Sequence, residues 1–125
     1  MILYDLHGVR VLECTSEGPP LSADRDAGDL IGEAWAHQAE LVAVPLMRLG
    51  DGFLDLRTRI AGEIIQKFVT YRLRLAIVGD ISALIADSRA LRDFVFESNQ
   101  GNHVWFVTDL EELETRLEKG AGGGR

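Results

Sequence analysis

Phe53–Asp80, reading FLDLRTRIAGEIIQKFVTYRLRLAIVGD, constrains the fold more than any other stretch. Counted at about 100° per residue from Phe53, Leu54, Ile60, Ala61, Ile64, Ile65 and Phe68 fall on one face, which predicts an amphipathic helix over 53–70. The run from Leu73 to Val78 is apolar on both faces from Leu75 onward, as in a central strand of a parallel sheet. A helix feeding directly into a buried strand is half of a βαβ unit, and the rest of the chain has to supply the other half. One residue is out of place: Arg57 lands among the apolar side chains, where a guanidinium needs a partner to offset desolvation.

The remaining segments complete the pattern. Residues 1–6 and 9–14 read as a hairpin turning at His7-Gly8. Ser22 is placed to cap a helix over 23–37, with Ala27, Leu30, Ile31, Ala34 and Trp35 inward. Leu41–Val44 is a short apolar strand closed by Pro45. Ser88 is placed to cap a helix to about Ser98. Val104–Val107 is a further buried strand, and Asp109 with Glu112 forms a capping box for a last helix to Lys119. The sum is ββαβαβαβα: an α/β domain over 1–119 with a mainly parallel central sheet flanked by helices. The Gly-rich tail, 120–125, reads as disordered.

Composition narrows the function classes. The net charge of −7 argues against general nucleic-acid binding, although residues 48–92 hold eight Lys/Arg against five Asp/Glu. No apolar run is long enough to span a membrane, and MILYDLHG lacks the basic flank of a secretory signal. A lone cysteine, Cys14, excludes an internal disulfide and fits a cytoplasmic protein. The three histidines are dispersed without metal-ligand spacing, so neither a metal nor another cofactor is expected. No nucleophile elbow, P-loop or dinucleotide fingerprint occurs.

DLRTRIAGEIIQKFVTYRLRLAIVGDIS, followed by SRALRDFVFESNQGNHVWFV, resembles a bacterial family known only as a domain of unknown function, number 4180. The likeness runs from about Leu3 to Leu117 and implies no established activity. The element order is also similar to that of STAS domains, the anti-anti-sigma-factor fold. The junction RLGDGFLDLRT, however, has no serine where a phosphoswitch of that kind needs one.

Candidate chemistry centres on one sheet edge. In a right-handed unit the start of the 53–70 helix lies near the end of the strand it precedes, so Arg57 and Asp80 should meet where open α/β sheets usually bind ligands. The expectation is a shallow anion site built from Arg57 and backbone N–H groups at the helix start, with Asp55 opposing it and Asn99 of the polar loop 98–103 available for contact. The bland alternative is a structural Arg57–Asp80 ion pair, or an arginine that snorkels to solvent. Asp55, Arg59, Glu63 and Lys67, spaced by four, form a ladder that either solvates the helix or docks a partner. Gly62, mid-helix on that side, suggests close packing by a loop or a second subunit, which makes Arg59, Gly62 and Glu63 a candidate interface. Arg72 and Arg74 are expected to pair with acidic residues of the last helix. The reading that follows is a non-catalytic regulatory or binding module acting through a protein partner or a small anion. The alternatives are a homodimeric or larger homo-oligomeric scaffold, and a small enzyme at the Arg57/Asp80 edge.

Overall fold

The computed structural model describes residues 1–123, with side chains described to Lys119. The hairpin forms as the sequence requires. β1 (Ile2–Leu6) and β2 (Val9–Glu13) pair antiparallel, with Leu6 opposite Val9. His7 and Gly8 both take positive φ, 51° and 87°, which a two-residue turn of matching twist demands. From there every strand is parallel to the one before it. β3 (Leu41–Pro45), β4 (Arg74–Val78) and β5 (Val104–Val107) add in turn, giving the order β1-β2-β3-β4-β5.

Successive crossovers in one direction put their helices on one face when all are right-handed. α1 (Asp24–Ala36), α2 (Ile60–Thr70), α3 (Ser82–Asp87) and α4 (Arg89–Gln100) make those crossovers. The period-2 alternation of the strands sends Leu3, Leu12, Val42, Leu75 and Val104, which are in register across all five, towards these helices. There they join Ala34, Ile64, Phe68 and Leu91 in the larger core cluster. The alternate residues Val11, Leu41, Ala43, Ala76, Trp105 and Val107 face the other way. They are covered by Leu113 and Leu117 of α5 (Leu110–Gly123). Of the tail expected to be disordered, residues 120–123 continue the α5 backbone, and 124–125 lie outside the described residues. Among the described residues no helix is long and apolar enough to cross a membrane.

Several boundaries differ from the sequence reading. Asp26, not Ser22, caps α1: its carboxylate accepts from the Ala23 and Ser22 backbone N–H groups at 2.9 and 3.1 Å. Trp35 is not inward but 60% exposed in the last turn of α1. The short helix α3 has no counterpart in the sequence reading. Ser88 caps α4 as expected, with its hydroxyl accepting from Leu91 N–H at 3.1 Å.

The largest departure is at 53–59. This stretch is not helical in continuity with α2. It is a turn followed by a single 3₁₀ turn, Leu56–Thr58, and Arg59 at φ 65° separates the two helices. Local hydrogen bonds explain the break. Asp55 accepts from Arg57 N–H, while the Thr58 hydroxyl lies 2.7 Å from Gly52 O and accepts from Ile60 N–H at 3.2 Å. Short polar side chains thus satisfy the backbone that a longer helix would have used.

Candidate functional site

The expected edge site does not assemble. With the helix starting only at Ile60, Arg57 never reaches an apolar face, and its side chain is 90% exposed. Its Nε and Nη2 donate to the two carboxylate oxygens of Asp55 at 3.0 and 2.9 Å, a bidentate pair that holds the Asp55 carboxyl below the usual carboxylate range. Asp80 instead accepts from the backbone N–H of Ser82, the first residue of α3, at 2.9 Å. The hollow beside this edge is lined by Asp51, Asp55 and Asp87, the wrong sign for an anion. The Arg57→Ala variant should therefore unfold at the wild-type temperature in a thermal melt, as befits a solvent-screened pair.

The Asp55–Lys67 ladder is also redistributed. Asp55 pairs with Arg57, Arg59 lies outside the helix, and Lys67 reaches across to Asp24 of α1 at 2.8 Å. Arg59, Gly62 and Glu63 do line one open groove. A Cβ added at Gly62, however, would meet nothing within 4 Å, so no loop of this chain packs on it. Gly62→Ala should then raise stability by about 1 kcal/mol through helix propensity alone. Denaturant unfolding reads that directly, and a loss of stability would show that something packs against α2 in solution.

The basic residues come together at the opposite end of the sheet. Arg74 opens β4, and Trp105, one residue into β5, lies on the same sheet face. Arg116 descends from α5. Both guanidinium carbons lie 4.5 Å from the centroid of the Trp105 ring. The expected pairing of Arg74 with acids of the last helix does not occur, and among the described residues neither Arg74 nor Arg116 has a carboxylate within 4 Å.

One turn positions all three side chains. The carbonyl of Asn99 accepts from Arg116 Nη2 at 2.6 Å, that of Gly101 from Trp105 Nε1 at 2.8 Å, and that of Asn102 from Arg74 Nε at 3.2 Å. Burial depresses the Arg74 guanidinium below its usual range; Glu40 opposes that shift and Arg116 adds to it. Arg74, Trp105 and Arg116 line an open cleft of about 800 Å³ with His7, Asn102 and Lys119. His7 Nε2 lies 3.5 Å from the Glu114 carboxylate and 3.7 Å from that of Glu118, which ties the hairpin tip to α5 when the imidazole is protonated.

Asn99 is near this site but does not face a ligand. Its side-chain amide donates to Phe106 O at 3.2 Å and accepts from Phe106 N–H at 2.7 Å. Sequence reasoning also missed Arg48, which is 7% exposed. Arg48 donates to the carbonyls of Pro19, Thr15 and Glu17 at 3.1, 2.9 and 3.1 Å. Cys14 is buried, and burial raises its thiol pKa, as suits an unreactive side chain.

The fold and cleft define a small α/β protein with a parallel sheet, one antiparallel edge strand and a paired-arginine cleft at the amino ends of β4 and β5. The chain belongs to the family described as Domain of unknown function (DUF4180), whose model matches residues 6–117. No curated protein and no solved structure matches it.

Proposed function

We propose that this protein is a non-catalytic binding module whose small anionic ligand sits in the Arg74–Trp105–Arg116 cleft, and that it regulates through the occupancy of that cleft. One observation carries the reading. Two half-buried guanidiniums are held by one turn against one indole, with no carboxylate within 4 Å of either among the described residues. Like charges brought this close repel, and the arrangement costs free energy that a bound anion offsets. Cation–π contact with Trp105 keeps both side chains ordered in the meantime. The cleft's volume suits a small molecule rather than a protein segment. The resemblance of the element order to that of STAS domains is in keeping with a regulatory role.

The site sits beside Trp105, so the indole is a built-in reporter. In a Trp35→Phe background, titration with phosphate, sulfate or succinate at low ionic strength should give a saturable change in Trp105 fluorescence, and Arg116→Ala should abolish it. An emission that responds to none of these anions would defeat the reading.

A further inference from the structure

We infer that the group recognised in the cleft is a phosphoryl dianion, either inorganic phosphate or the terminus of a phosphomonoester; this deepens the anion-binding reading and rests on it. The first support is donor number. Each guanidinium spends one recorded hydrogen bond on the Asn99–Asn102 turn. That leaves about four of five N–H groups per arginine for a ligand. A single carboxylate satisfies one fork and one charge, and would leave the second guanidinium as it was. A phosphoryl group offers three oxygens and roughly two charges at neutral pH, enough for both forks at once.

Both guanidinium carbons lie 4.5 Å from the centroid of one ring. Two forks on one phosphoryl group require those carbons to come within about 8 Å of one another, each roughly 4 Å from phosphorus.

The indole itself speaks to what else the ligand carries. Trp105 is only 6% exposed, so its faces are not available to stack a base or another aromatic ring. Recognition therefore falls on the charged group. Glu114 and Glu118 beside His7, with a chain charge of −7, oppose a polyanion such as RNA and favour one compact dianion. Lys119 on the cleft rim adds a point charge without fork geometry.

Calorimetric titration of the full chain with inorganic phosphate, glycerol phosphate and succinate tests this. One phosphate should bind per chain, at least about tenfold tighter than succinate, and Arg74→Lys and Arg116→Lys should each weaken it by about tenfold because the charge stays but the fork is lost. Tighter glycerol phosphate than phosphate would identify an ester as the ligand, and the reverse would identify the free ion; both support the inference. Succinate binding as tightly as phosphate would overturn the phosphoryl assignment while leaving an anion module standing. Lysine variants that bind phosphate as well as wild type would also overturn it. Binding of none of the three would remove both readings.

Discussion

Replacing Arg48 by Met should destabilise the protein by about 3 kcal/mol, because hydrogen bonds from a charged donor are each worth roughly 1.5–3 kcal/mol and methionine supplies none. The segment from Thr15 to Pro20 runs between β2 and α1 with two consecutive prolines and no sheet ladder of its own. Its carbonyls need a donor, and the Arg48 guanidinium reaches three of them from the turn after β3. Gly18 is part of the same arrangement: at φ 125°, an added Cβ would lie 3.1 Å from the guanidinium carbon. Methionine fills much of the volume, so the loss reflects the three hydrogen bonds rather than a cavity. At roughly 3–4 °C per kcal/mol for a chain of this size, the melting temperature should fall by about 10 °C. A fall of only a degree or two would mean that water replaces the guanidinium at those carbonyls. Arg48→Lys should recover only part of the loss, since one ammonium cannot span three acceptors in the fork geometry.

Asn99→Ala should cost about 3 kcal/mol, by a different route. β5 is an edge strand, and its odd-numbered residues bond β4: Leu75 N–H donates to His103 O and Gly79 N–H to Val107 O. Phe106 therefore turns both backbone groups to the free edge of β5, while its ring packs edge-on against Phe94 with centroids 6.1 Å apart. The Asn99 amide takes both groups, acting as the next strand would. Removing it strands a buried donor and a buried acceptor, each costing about 1–3 kcal/mol, and bares the edge to intermolecular pairing. Denaturant unfolding gives the global loss, and hydrogen exchange should show the Phe106 amide losing more protection than its neighbours in β4. A wild-type exchange rate at Phe106 would contradict this role.

These side chains show where the sequence was legible. Apolar periodicity marked all five strands, and the capping residue Ser88 and the pair Asp109/Glu112 marked two helix starts. In the latter, Asp109 accepts from Glu112 N–H at 2.9 Å, while the Glu112 carboxylate accepts from Thr108 N–H at 2.6 Å. Periodicity misled at 53–59, because Phe53 and Leu54 keep the helical spacing while anchoring a turn; Phe53 is fully buried there. The competing signal was in plain sight: Asp55 and Thr58 are residues that turn the backbone by bonding it locally. Arg57 followed from that phase error.

The Arg74–Arg116 cleft was out of reach for another reason. Its members lie on β4, β5 and α5, far apart in sequence, and what joins them is a set of three carbonyls on the turn ending α4. Carbonyl direction is not written in residue type. A neighbouring clue existed, since Arg74 points to the same sheet face as Trp105 once the strands are parallel and adjacent. Arg48 gave no periodic signal at all: a short turn places its side chain, and carbonyls from the other end of a loop receive it.

The most direct test of the central claim is a phosphate titration of the ¹⁵N-labelled protein followed by amide and indole chemical shifts. The Trp105 indole N–H and the backbone amides of 99–103 should move together and saturate, with residues 51–58 unmoved. Shifts centred on 51–58, or no saturable shift anywhere, would contradict it.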